Sequence, residues 1–177
     1  LTGLFNRRGF DDIFARMVES SQRSERPLGL LYMDSDSLKT INDGGGHEAG
    51  DRFIVDLASI LRNVARRSDF IFRWGADEFA VVLDCGNAAR AATLAERLRE
   101  AVSERTEGTM SIGIYWGVPE SAEQAVRIAD TARVRLGAYV GEGTTVSIWL
   151  PRYGQIEDTD FEVEAPTQTG PSPTLGA

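Results

Sequence analysis

Apolar positions along this chain recur at two alternating spacings. Over residues 6–24, Phe10, Ile13, Phe14, Met17 and Val18 fall on one side of a helix, which Pro27 and Gly29 end. Residues 28–33 are a short apolar run of strand length, suited to a central buried strand. Residues 34–46 are polar and glycine-rich and read as a loop with room for one helical turn. From 47 to 65, Phe53, Ile54, Leu57, Ile60, Leu61 and Val64 return at helical spacing. Residues 70–74 and 79–83 read as two strands of a hairpin whose short turn carries Asp77 and Glu78. An alanine- and leucine-rich helix over 88–102 follows, then a strand over 110–115. A helix over 121–136 has Ser121 and Gln124 at capping-box spacing, and a last strand over 146–150 ends before Pro151. Strands separated by helices, with one central hairpin, predict an α/β fold: a mixed central sheet flanked by helices. The pattern ends with the last strand. The expected division is a domain over 1–154 and a tail over 155–177, acidic and then Pro/Thr/Gly-rich, with too little to bury to be ordered.

Composition narrows the function classes. The 42% apolar and 26% charged content is that of a globular domain, and the formal charge of −8 argues against a non-specific nucleic-acid binder. Part of that charge sits in the tail, at Glu157, Asp158, Asp160, Glu162 and Glu164. Cys85 is the one cysteine and His47 the one histidine, which excludes an internal disulfide and a zinc cluster. With no apolar run of membrane-spanning length and no signal peptide, the expected location is the cytoplasm, with no membrane contact by this domain. The first residue is Leu1, so an upstream sensor segment is expected in a longer protein.

The chemistry concentrates at strand ends. Asp34 closes the first central strand, and Asp77 and Glu78 sit in the hairpin turn. If the hairpin lies beside that strand, Asp34 and Asp77 converge. Carboxylates that converge without His or Cys suit magnesium or manganese, and hence phosphoryl or nucleotidyl transfer; solvated loop carboxylates are the plain alternative. The following loop holds Asp36, Lys39, Asn42, Asp43 and Asp51 among Gly44, Gly45, Gly46 and Gly50. Lysine can counter a phosphate, and Asn or Asp can read a guanine edge, although such residues are common in any loop.

Several segments in order carry a more specific signal. They are Leu1-Thr2-Gly3-Leu4-Phe5-Asn6-Arg7-Arg8, Asp34-Ser35-Asp36-Ser37-Leu38-Lys39-Thr40-Ile41-Asn42-Asp43, Gly46-His47-Glu48-Ala49-Gly50-Asp51, Arg73-Trp74-Gly75-Ala76-Asp77-Glu78-Phe79 and Met110-Ser111-Ile112-Gly113-Ile114. In sequence and spacing they resemble the GGDEF family of diguanylate cyclases along nearly all of residues 1–150. The resemblance implies a nucleotide-cyclase-like fold with the signature on the hairpin. It also implies a reaction in which two GTP molecules, one on each half of a homodimer, condense to cyclic-di-GMP and pyrophosphate. Asp34, Asp77 and the carbonyl of Ser35 would hold two Mg2+ or Mn2+ ions per site. Glu78 would be a further ligand or a proton acceptor, and Asn42 and Asp51 would read guanine. Lys39 would support the phosphates, with Gly75 and Ala76 at the triphosphate and Gly75 giving the turn its φ freedom. Arg66 and Asp69 stand where the family has an inhibitory site for the product. His47 falls at a position of structural role.

Two departures bear on activity. Ala76 replaces a signature glycine, where a methyl group is expected to crowd the nucleotide or resist a positive φ. Near the end, Gly137 stands at the family's lysine position and its Gly-Arg-Asn is absent, with Arg133 and Arg135 the nearest cations. The expectation is therefore a slow diguanylate cyclase. The competing expectation is a regulatory domain that binds GTP or cyclic-di-GMP without turnover.

Overall fold

The computed structural model describes residues 1–84, 87–137 and 146–149. Cys85, the tail and the side chains of Arg133 and Arg135 lie outside this description. The elements are α1 (Arg7–Ser24), β1 (Leu28–Ser35), α2 (Leu38–Val64), β2 (Phe70–Arg73), β3 (Glu78–Leu83), α3 (Ala88–Arg105), β4 (Met110–Gly117), α4 (Ala122–Gly137) and β5 (Val146–Trp149). The strands form one sheet in the order β2-β3-β1-β4-β5. All pairings are antiparallel except β4 with β5, which is parallel, so the sheet is mixed as expected.

β1 is the central strand and is covered on both faces, which is why its run is apolar without alternation. Leu31 and Met33 enter one core with Ile54, Leu57, Phe79, Val81 and Leu98, under α2 and α3. Leu30 and Tyr32 enter the other with Phe10, Phe14, Ala80, Val82, Tyr115 and Ala125, under α1 and α4. Asp34 continues the second parity and therefore leaves the sheet on the α1/α4 side.

Two local details differ from the expectation. The segment after β1 is helical from Leu38 onward, and α2 kinks at Gly46, whose φ of 74° and ψ of 174° interrupt it. A positive φ is open to glycine without steric cost, so Gly46 lets two helical pieces join at an angle. At the start of α4, Ser121 caps the Gln124 N–H at 3.1 Å, but Gln124 reaches back to the Glu120 N–H at 3.0 Å rather than to that of Ser121.

Tyr115 shows what burial does here. Its ring is 1% exposed, and desolvation, helped by the charge of Glu120, pushes its phenol up to about 12. The folded state thus holds the proton more tightly than the unfolded chain does. The resulting stability is whole below pH about 10 and is lost as pH rises toward about 12. Denaturant midpoints measured across that range are expected to fall for the native chain, and to fall less for Tyr115→Phe.

Candidate functional site

The site gathers at one end of β1. Register places Asp34 directly opposite Glu78 on β3 and Ser111 on β4, so the three side chains form a row on one face. The hairpin does lie beside the first strand. The direct neighbour of Asp34 is nevertheless Glu78, because Asp77 stands one residue outside the ladder. There its carbonyl accepts from the Ser35 N–H at 3.2 Å. Like charges directly opposite in a sheet cost a few tenths to about 1 kcal/mol. Among the described residues, no group of three or more His, Cys, Asp or Glu side chains is close enough to hold a metal ion by itself. Magnesium often takes only one or two carboxylates and completes its shell with water and substrate phosphate, so this all-oxygen donor set fits it.

The hairpin turn is held by a residue that sequence reading passed over. Arg73 donates from Nε to the Gly75 carbonyl at 3.1 Å and from a terminal nitrogen to the Ala76 carbonyl at 2.6 Å. In a trans peptide the N–H points away from the C=O, so the Ala76 and Asp77 amides face away from this guanidinium. The two other strand-side amides of the turn, Trp74 and Gly75, donate to the Glu78 carbonyl. Positive φ in the described residues is confined to Glu25, Gly3 and Gly46. The expected φ requirement at Gly75 and φ strain at Ala76 are therefore both corrected. Ala76 is exposed and unstrained, and Gly75 is needed for a different reason: a Cβ there would collide with Oε2 of Glu78.

α2 begins beside Asp34. Its N-cap, Ser37, makes no side-chain cap bond, and exposed Lys39 lies in its first turn. Free amide dipoles and a lysine make this end positive. Asp36 is spoken for: its two oxygens accept from Ser111 at 2.6 Å and Thr109 at 2.9 Å, tying β1 to β4.

Across the kink, α2 folds Asn42 over Gly50. A Cβ at position 50 would collide with the Asn42 amide oxygen, so glycine there is a packing requirement. That oxygen is buried and has no hydrogen-bond partner. An unpaired buried acceptor costs about 1–3 kcal/mol, which a ligand N–H would recover. Asp51 is exposed and lines a cavity of ≈ 270 Å³ with Leu1, Arg52, Val55 and Asp56, but Asn42 does not line it. His47 is exposed just after the kink.

Arg66 and Asp69 are differently placed from one another. Arg66 is exposed, whereas the Asp69 side chain is 1% exposed. One Asp69 oxygen accepts the Arg66 N–H at 2.9 Å, and the other holds Arg90 of α3 at 2.5 Å. The carboxylate thus shapes the turn into β2 and pins it to α3. Losing Arg90 would leave a buried charge half-satisfied, at a cost of about 2 kcal/mol. In urea unfolding, Arg90→Ala is expected to lower stability by that amount and Arg66→Ala by less than about 0.5 kcal/mol.

Residues 1–138 match the family model described as diguanylate cyclase, GGDEF domain. The chain belongs to the GGDEF family. Among curated proteins it is 33% identical over 141 residues to the bifunctional diguanylate cyclase/cyclic di-GMP phosphodiesterase MucR of Pseudomonas aeruginosa, covering 75% of this chain and 21% of MucR. It is 35% identical over 143 residues to the diguanylate cyclase DosC of Escherichia coli, covering 75% of this chain and 31% of DosC. The sequence thus spans under a third of either relative. Among solved structures, the GGDEF domain of DgcB from Caulobacter crescentus, in complex with c-di-GMP, superposes with a TM-score of 0.75 at 30% identity, covering 82% of this chain and 92% of that one. As a GGDEF domain the chain is thereby similar to proteins that make cyclic-di-GMP. No described helix is long and apolar enough to cross a membrane.

Proposed function

We propose that this domain condenses two molecules of GTP into cyclic-di-GMP with release of pyrophosphate, as one half of a homodimer. The observation that supports it most directly is the Asp34–Glu78 cross-strand pair, set beside Asp77 and the positive start of α2. Carboxylates gathered at a strand end offer a divalent cation oxygen ligands. Asp34, Asp77 and the Ser35 carbonyl would hold Mg2+ or Mn2+, two ions per site. Bound there, the ions neutralise charge on the phosphates and lower the pKa of the attacking 3′-hydroxyl.

The chain's own residues supply the rest. Lys39, the α2 N-terminus and the turn amides around Gly75 and Ala76 receive the triphosphate. Glu78 accepts the hydroxyl proton or adds an oxygen ligand. Asn42 and Asp51 read guanine, the Asn42 amide by turning its buried, unpartnered oxygen out toward the base. Asp51 accepts from guanine but would meet another acceptor on adenine. In a competition assay GTP is expected to bind at least about tenfold better than ATP, the cost of one misplaced charged hydrogen bond. Equal competition by ATP removes Asn42 and Asp51 from this role.

Exposed Arg66 is proposed to bind the product at a second, inhibitory site. Asp69 belongs to that site only if ligand binding draws it away from Arg90. Calorimetric titration with cyclic-di-GMP should show weaker binding for Arg66→Ala, and unchanged affinity eliminates Arg66. The setting is the cytoplasm, downstream of a sensor segment in a longer protein.

A second reading is a regulatory domain that binds GTP or cyclic-di-GMP without turnover. Gly137 in place of a phosphate-binding lysine favours it, and under the first reading the same replacement makes the rate slow. The backbone argument from Ala76 falls away, since its φ is not positive, and only crowding of the nucleotide by its methyl group would still favour this reading. Incubation of a dimeric form of the chain with GTP and Mn2+ decides between them: cyclic-di-GMP appears under the first, and GTP is bound but unchanged under the second.

A further inference from the structure

The geometry points to a built seat for the Glu78 carboxylate, formed by the Tyr32 hydroxyl and the bare Cα of Gly75, with Tyr32 a positioning residue for the reaction. The inference rests on the proposed role of Glu78 only for its kinetic consequence. Its structural content is independent of that role.

Two observations carry it. The first is the phenol. Tyr32 sits two residues before Asp34 on the same face of β1, and its hydroxyl donates to Oε1 of Glu78 at 2.9 Å. Its side chain is held on several sides: Tyr32 is 4% exposed, and its ring meets Trp74 edge-on at 5.6 Å. Trp74 meets Phe10 edge-on at 4.5 Å and carries the Arg7 guanidinium 4.9 Å from its ring centroid. Such edge-on and cation–π contacts fix ring orientation as well as burying area. The hydroxyl therefore stays where it is, whatever the carboxylate does.

The second observation is the space at Gly75. Its φ is not positive, so the backbone does not ask for glycine. The Glu78 side chain uses the space instead: Oε2 lies so close to where a Cβ of residue 75 would be that the carboxylate would have to move to make room. One oxygen is thus bonded to a rigid phenol and the other is packed against the turn it belongs to. The hydrogen bond and the contact favour one placement of the carboxylate before substrate arrives, and pre-set groups of this kind act with little reorganisation during reaction. Tyrosine also serves here better than phenylalanine for a simple reason. A carboxylate brought to the rim of an apolar core needs a donor to offset its lost hydration.

Tyr32→Phe removes the hydroxyl and keeps the ring. A crystal structure of that variant is expected to show the Glu78 side chain swung away from position 32, and an unmoved Glu78 overturns the proposal. This readout requires no turnover, so it stands even if the domain proves not to be a cyclase. In a dimerised chain that makes cyclic-di-GMP, Tyr32→Phe is expected to lower kcat roughly 10- to 100-fold, the effect of misplacing a reacting group by about 1 Å. KM for GTP is expected within about twofold of the parent, and the unfolding midpoint is expected to hold. Unchanged kcat, or a loss of kcat that only follows a loss of folding, overturns the positioning role. Gly75→Ala is expected to displace Glu78 in the same way. Should it fail to fold, Tyr32→Phe decides alone.

Discussion

Fusing a dimeric coiled coil ahead of Leu1 is expected to raise cyclic-di-GMP production per chain by roughly two orders of magnitude over the free chain. The reason is stoichiometric. In the proposed reaction one site holds one GTP and hence one half of the product, so each bond would form between nucleotides carried by facing copies across a two-fold axis. In dilute monomer the second nucleotide arrives by bimolecular encounter. A linker that holds two copies together replaces that step with an effective concentration in the millimolar range. Product measured by chromatography at equal total chain concentration tests this directly. If the fused dimer binds GTP and releases no product, even with Lys restored at position 137, the cyclase reading fails and the regulatory reading stands. Ala76→Gly is expected to change little, because Ala76 is exposed and carries no backbone strain. If the dimer is active without the lysine, then Arg133 or Arg135 serves the phosphates.

Asp34→Asn is expected to reduce turnover of that dimer by about 10²- to 10³-fold, while the fold holds. The substitution keeps the shape of the side chain and removes a charge directly opposite Glu78. Loss of the charge also removes a ligand for a divalent cation, so the Mn2+ dependence of activity is expected to shift to higher metal concentration. A fall in activity with the unfolding midpoint held would mark Asp34 as a functional residue. A parallel fall in both would mark it as a structural one, and unchanged turnover would remove it from the site.

Much of this arrangement is legible from residue order. The periodicity of Phe10, Phe14 and Val18, or of Phe53, Leu57 and Leu61, follows from burial on one helix face, and the structure buries those residues. The segment holding Leu38 to Gly46 was harder to read. Asn42, Asp43 and three consecutive glycines are poor helix formers, and local propensity favours a loop. Packing of Leu38 and Ile41 against the core under α2 and α3 outweighs that preference, and the positive φ of Gly46 absorbs the mismatch between the two helical pieces.

The candidate site divides in the same way. Asp34, Asp77, Glu78, Lys39 and Asn42 stand out in sequence because charged and amide groups at the ends of buried strands need a reason to be there. Tyr32, Arg73 and Arg90 do not stand out, since each reads as an ordinary strand or helix residue. The one available hint was position: Tyr32 shares its strand face with Asp34, two residues away.

By itself, then, the sequence determined the elements, the family and the side chains available for chemistry, because these depend on residue type and near-neighbour spacing. Tertiary structure alone decided that Glu78, not Asp77, faces Asp34, that Asn42 lies over Gly50, and that Asp69 is held by Arg90 from 21 residues away. Register and such distant pairs are chosen by the fit of the whole two-sided core, a sum over contacts between segments that no local window of sequence contains.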